Sequence, residues 1–512
     1  MPIHLLKPFV AASILITGAL APCSAKTFDL STANIADVQE AMDAGALTAE
    51  KLVQLYLNRI EAYDKKGPKI NTVITLNPNA LAEARALDKE RAESGPRSQL
   101  HGIPVVFKDL VDIVGLPTTA GHVPFGAPIP KRDATLVAKL KDAGAIMLAK
   151  VSTRNWFGSW EQHPIGLTLN PYKPGYSPGF TSNGSGAAIA SYFSQLAIGT
   201  DNSASVQHPS ANSSVVGMVA SQGMVSRAGV LTNSATQDRP GPMARSVYDV
   251  AAMISVMAGW DAEDLMTFRP MGHFPESDWS LELGDNELVG KRIGVLREMI
   301  YEGEKHEEAR KLFEIALEDM RRAGAFVVDP ILTGIDLKEM TRSAYISPAR
   351  YEKRPHQEVY LKRLGDATKW DSIQTMYNQT VEPEEPLPMP GTAEDSKARY
   401  AARQAIIDLI HETMDRFDLD AIALPYRTLP PEPYPGPRPP ESTTNLTSCT
   451  GLPAVIVPGG YIPDNRPIGI QIFGRQYDDL NVLKIAHGYE LASKNRKTPA
   501  LTPPLDGEVF EY

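Results

Sequence analysis

Two strand–helix–strand units predict an α/β protein whose sheet carries helices on both faces. In the first, His101-Gly-Ile-Pro-Val-Val-Phe-Lys108 reads as a short buried strand, Ala134–Ala143 as a helix capped by Gly144, and Ala145–Ala149 as a second strand. In the other, Val289–Leu296 is a strand, Glu304–Ala323 a strong helix ended by Gly324, and Ala325–Val328 a strand. Parallel neighbours need a crossover of helix length, so this rhythm itself points to the α/β class. Size is the third observation: 512 residues, 43% hydrophobic and 22% charged, suffice for one large or two intimate domains with a full core.

Met1–Pro8 carries Lys7, and Phe9–Ala21 is an apolar run of signal-peptide length. Cys23-Ser24-Ala25 offers small residues for cleavage before Lys26, so residues 1–25 read as a signal peptide and 26–512 as the folded domain. The run is short for a membrane span, and Pro22 argues against lipid attachment at Cys23. A periplasmic or secreted protein is expected, with no stable membrane insertion after cleavage. Loss of residues 1–25 removes Lys7 and no acid, which takes the net charge from −10 to −11. No long basic run accompanies it, so nucleic acid is not an expected partner. Cys449 would remain alone, which excludes a disulfide framework and a cysteine metal site.

Further along, residues 32–62 carry apolar positions at helical spacing, with Thr48-Ala-Glu-Lys51 as a helix start, and Ala80–Ala92 is a second amphipathic helix. Residues 335–379 look helical but irregular. Ala398–Phe417 is helical, Ala421–Leu424, Pro453–Pro458 and Ile468–Phe473 are strands, and Asp479–Lys494 is a closing helix. Two proline-rich runs stand apart. Val381–Gly391 reads as an exposed loop, and Pro425–Pro440 as either a linker or a loop at the rim of a site.

The chemistry concentrates between Pro174 and Ser226, where Asp201 is the only formal charge among Gly, Ala, Ser, Thr, Asn and aliphatic residues. A flexible linker would lack the apolar runs Ala187–Ala190 and Val215–Val219. The stretch therefore reads as a tightly wound, buried core segment that can hold a nucleophile out of bulk water. Gly175-Tyr-Ser177-Pro-Gly179 fits Gly-x-Ser-x-Gly, but Pro178 lacks the N–H that a nucleophile elbow needs there, so a turn is expected. His208 follows Ser205 by three residues without an orienting carboxylate, and reads as structural. The ten histidines show no metal-ligand spacing, so no metal and no cofactor is expected. Lys108 ends an apolar strand. In a low-dielectric pocket its charged form would be disfavoured, leaving a neutral amine able to serve as a base; alternatively it is a strand-end lysine paired with Asp109.

Taken together, Gly102-Ile-Pro-Val-Val-Phe-Lys-Asp109, Leu116-Pro-Thr-Thr-Ala-Gly121, Asn170-Pro171, Gly199-Thr-Asp201 to Ser205, Gln237-Asp-Arg-Pro-Gly-Pro-Met-Ala-Arg245 and Gly451-Leu-Pro-Ala-Val-Ile-Val-Pro-Gly-Gly460 resemble the amidase signature family, in family order and over nearly all of the mature chain. Ala323–Pro330 and the C-terminal pattern look most like its extracytoplasmic, peptide-amidase-like branch. The resemblance implies one large α/β/α domain around a mixed, twisted sheet of about eleven strands. It also implies hydrolysis of linear amides by a Ser–cis-Ser–Lys triad without a cofactor. Lys108 matches the family lysine and Ser205 the nucleophile. The bridging position, in cis geometry, falls on Thr181, with Ser182 as the alternative; spacing to Ser205 favours Thr181. Phe180, Thr181 and Asn183 depart from the family's Gly-Gly-Ser-Ser-Gly-Gly-Ser pattern. Backbone N–H groups of Asn202, Ser203, Ala204 and Ser205 would form the oxyanion hole, with Ser182 beside them.

The expected partner is a small-molecule or peptide amide. An N-acyl amine, anilide or carbamate remains open, as does ester hydrolysis by the same residues or amide binding without turnover. The leader argues against the tRNA-dependent amidotransferase subunits of this family. Trp156, Phe157 and Trp160 either line an apolar pocket or belong to the core.

Overall fold

Thirteen strands are defined in the computed structural model, which describes residues 25–154, 156–157, 162–234, 236–345, 349–380, 393–436 and 445–512. In chain order they are β1 Thr27–Asp29, β2 Val73–Leu76, β3 Pro104–Lys108, β4 Ile146–Val151, β5 Leu196–Asp201, β6 Val216–Val219, β7 Arg239–Ala244, β8 Arg292–Val295, β9 Phe326–Val328, β10 Ala421–Pro425, β11 Ala454–Tyr461, β12 Pro467–Phe473 and β13 Val509–Glu511. Eleven of them make one mixed sheet, ordered β2-β4-β3-β5-β7-β6-β11-β12-β10-β8-β9. β4, β3 and β5 run parallel, as do β10, β8 and β9; the remaining pairings are antiparallel. The two strand–helix–strand units read from sequence are β3–β4 and β8–β9, one in each parallel patch.

Every residue of β3, β4, β5, β6 and β7 is buried, as expected for central strands covered on both faces. Sequence reasoning passed over β2, β5, β6 and β7. The last of these holds Pro240 and Pro242, residues that normally argue against a central strand. They are tolerated because, at both prolines, the ladder is used on one side only. β7 pairs with β5 along its whole length, Thr200 opposite Pro240 and Ile198 opposite Pro242. It pairs with β6 only at Val216–Ala244 and Gly217–Met243. By the two-residue alternation of an antiparallel ladder, the absent N–H groups face β6 beyond the end of that pairing.

Residues 32–62 form two helices rather than one, Ile35–Asp43 and Ala49–Tyr63, and Thr48 accepts the Lys51 N–H at the start of the second (3.0 Å). The chain ends meet in an antiparallel ribbon, Thr27 opposite Glu511. Below it the buried Arg59 forks onto Glu508 at 2.9 and 2.8 Å. The 381–391 run lies outside the described residues. The described half of the 425–440 run packs on the turn before the small-residue core. Glu432 O accepts from Ser177 N (2.8 Å), and Tyr434 N donates to Gly175 O (2.9 Å). These bonds make the described half a packed loop rather than a linker.

Candidate active site

β3 and β5 are parallel neighbours, Phe107 opposite Ile198, so their C-terminal ends open into the same crevice, the usual place for a site in an α/β sheet. Lys108, the last residue of β3, is fully buried. Its Nζ donates to Thr181 Oγ1 (2.6 Å) and Thr200 Oγ1 (2.8 Å). Burial pushes the amine down to about 7, against the opposing pull of Asp238 and Asp201. The Trp156 ring lies over it, 5.4 Å from Nζ to the ring centroid. Asp109 is not its partner. The adjacent side chain points to the other face and meets Lys150 of β4 at 3.0 Å, both fully buried.

Thr181 and Ser182 sit just before the helix Asn183–Ala190, every residue of which is buried. Small residues make that position possible. A Cβ at Gly184 would come within 2.5 Å of the backbone N and O of Ser152, so only glycine lets the helix start touch the end of β4. The Ser182 hydroxyl is taken up by β5, donating to Thr200 O (3.3 Å) and accepting from Thr200 N (3.2 Å). The Ser182 hydroxyl thus staples the helix start to the sheet, and it is Thr181, not Ser182, whose hydroxyl accepts from Lys108. The cis geometry implied at the bridge is also absent. The described cis peptides are Asp329–Pro330 and Tyr434–Pro435, and the bonds flanking Thr181 are trans.

After β5 the chain winds sharply. Asp201 Oδ2 accepts the N–H groups of Val206 (3.0 Å) and Gln207 (3.4 Å), and Oδ1 accepts from Ser448 Oγ (3.1 Å). The N–H groups of Ser203, Ala204 and Ser205, inside that turn, donate to no protein acceptor among the described residues. Three successive buried donors without acceptors form a ready anion site. The turn and the Thr181 segment converge on one point of β5: a Cβ at Gly199 would lie 2.9 Å from Ser182 Oγ and 3.0 Å from Val206 Cγ2. Ser205 is 3% exposed. Among the described residues its hydroxyl makes no hydrogen bond, so the contact from Thr181 to Ser205 is not closed here.

A match to the family model described as Amidase covers residues 51–483. The chain belongs to the amidase signature family. As a member it is an amidohydrolase, and its eleven-stranded α/β sheet is the family fold. The native peptide amidase from Stenotrophomonas maltophilia is 31% identical, with a TM-score of 0.81 over 92% of this chain and 99% of that one. A glutamyl-tRNA(Gln) amidotransferase subunit of Chloroflexus aggregans is 32% identical over 88% of this chain and 94% of its own length. A probable amidase of Arabidopsis thaliana is 29% identical over 92% of each.

Within this amidase the decoy serine is a turn residue. Ser177 Oγ donates to Gly179 O (2.9 Å), and Ser177 O accepts from Asn170 and Asn212. His208 is buried, with Arg427 Nη1 donating to its Nε2 and Glu432 3.8 Å away. Burial would raise the Glu432 carboxyl, but it is held well below the usual range, with Arg427 Nη1 donating to its Oε2 at 2.9 Å. Phe157 joins an apolar cluster with Leu110, Phe125 and Trp370, so it is core, whereas Trp156 covers Lys108; Trp160 lies outside the described residues. Three residues that sequence reasoning did not single out complete the site. Thr200 shares Lys108. Asp238 Oδ2 accepts from Asn202 Nδ2 (3.1 Å) and from the N–H groups of Asn233 (2.8 Å) and Ser234 (2.6 Å); burial still pushes its carboxyl up to about 6. Gln237 donates to Asn202 O. All three lie inside motifs quoted for the family resemblance, which is the signal that would have found them.

Proposed function

We propose that the protein is an exported amidase that cleaves a carboxylic amide through a Ser205 acyl-enzyme, with Lys108 and Thr181 as its proton relay. One observation carries this reading: a buried lysine, its amine lowered to about 7, lies 2.6 Å from the Thr181 hydroxyl. With Nζ neutral, the Thr181 hydrogen can turn toward the amine lone pair while Thr181 Oγ1 accepts the proton of Ser205. The Ser205 alkoxide attacks the amide carbon, and the Ser203, Ala204 and Ser205 N–H groups receive the oxyanion. Asn202 contributes by holding that turn. The relay then protonates the leaving amine, and water releases the acyl group by the same path in reverse. The open Thr181–Ser205 contact closes as substrate fills the crevice, since catalytic hydrogen bonds commonly tighten only in the complex.

The likeness to a peptide amidase puts peptide amides first among substrates. The similar likeness to an amidotransferase subunit does not decide against it; the apolar leader favours export over that role. Lys26 N–H and C=O both pair with Tyr512 (2.8 Å each), which extends the ribbon of β1 and β13. Amino-terminal sequencing of protein recovered outside the cytoplasm should begin at Lys26; protein retained inside with Met1 contradicts export. An alkyl fluorophosphonate followed by peptide mass mapping should mark Ser205. No label means a binder without turnover. A panel of amide, carbamate and ester sharing one acyl group should show amide cleavage; ester cleavage alone would make the enzyme an esterase.

A further inference from the structure

The carbonyl of Asn202 and the N–H of Ser203 belong to one peptide group, and that group is tied to a buried charge. Gln237 Nε2 donates to Asn202 O at 2.5 Å, and Gln237 Oε1 accepts from Arg403 Nη2 at 2.6 Å. A carbonyl only accepts and a guanidinium only donates, so these two partners fix which way the Gln237 amide faces. Arg403, on the helix Ala393–Arg416, is 6% exposed and is anchored through Nη1 to Thr236 Oγ1 (3.0 Å) and Thr236 O (3.4 Å). Asp238 holds the Asn202 side chain from the opposite end (3.1 Å).

We propose that Arg403 and Gln237 are positioning residues for amide hydrolysis, which polarise the Asn202–Ser203 peptide and aim its N–H at the tetrahedral oxyanion. This rests on the reading of Ser205 as nucleophile and Ser203 N–H as an oxyanion donor. Electron density is drawn from the peptide carbonyl through Gln237 toward the guanidinium, and no proton moves. Each bond in such a chain polarises the next, and the first is charge-assisted. The substrate carbonyl carries a partial charge and the tetrahedral intermediate a full one, so the help falls on the chemical step rather than on binding. A helix more than 150 residues beyond the nucleophile thereby sets the strength of one oxyanion donor.

The test is inactivation by an alkyl fluorophosphonate, whose phosphoryl oxygen gains charge in the same place, read as separate inactivation rate and binding constants. Gln237→Glu keeps the side-chain shape and the bond from Arg403 but loses the donor to Asn202. Its inactivation rate should fall about tenfold or more, with the binding constant within about twofold. Arg403→Lys, which keeps a charged donor, should lie between wild type and Arg403→Met. Wild-type rates in folded Gln237→Glu and Arg403→Met, or a loss confined to the binding constant, would overturn the proposal. If thermal melting shows Gln237→Glu to be unfolded, the Arg403→Lys and Arg403→Met pair decides by the same split. A wild-type enzyme unlabelled at Ser205 would instead remove the nucleophile reading, and this proposal with it.

Discussion

Thr181 is the residue on which the mechanism turns. Serine at this position would keep the hydroxyl and shed a methyl that restricts χ1, so Thr181→Ser should keep or raise kcat/KM. Thr181→Ala removes the hydroxyl that bridges Lys108 and Ser205 and should lower it at least ~10²-fold; an unchanged rate in steady-state assays would exclude the relay. The same geometry sets the pH profile. The base is the neutral amine, so log kcat/KM should fall with unit slope as pH drops below about 7, and a profile flat down to pH 5 would contradict it. Lys108 and Ser205 could be picked out in the sequence because each sits in a short pattern. Thr200 was legible only through its place in Gly199-Thr-Asp201, since its contact with Lys108 spans two strands and leaves no local spacing. The occupation of the Ser182 hydroxyl by β5 was equally hidden: adjacent hydroxyls look alike until the helix start fixes which one faces the sheet.

The elements divide by how local their signals are. β3, β4, β8 and β9 announced themselves through apolar runs followed by helices. β5 and β6 contain glycine, and β7 alternates proline with glycine, a composition that reads as a turn. What makes them strands is pairing with partners distant in sequence, above all the full-length ladder of β7 on β5. The helix Asn183–Ala190 is similar: its glycines are poor helix formers, and tertiary packing makes it helical. Gly184 is the tightest of these contacts. Gly184→Ala must push the helix start off Ser152, which should cost about 1–3 kcal/mol of stability in denaturant melts and lower kcat by displacing Thr181. A fully stable, fully active variant would show that the helix start has room to move.

At the scale of the molecule, one sheet brings distant parts of the chain into a single cooperative body, and the termini are tied to it through Arg59 and Glu508. Both side chains are buried, so Arg59→Ala leaves a carboxylate without its partner and should cost about 3–5 kcal/mol, read as a lowered chemical-denaturation midpoint. That closure was invisible in the sequence because its partners lie at opposite ends. The whole arrangement serves one condition, an amine kept uncharged at neutral pH by the surrounding core. Titration of the Lys108 Cε resonance in enzyme labelled with [13C-ε]lysine, assigned by its loss in Lys108→Met, measures that condition directly. A midpoint near 7 is the result this account predicts; a midpoint near the ordinary lysine value of about 10.4 would contradict it.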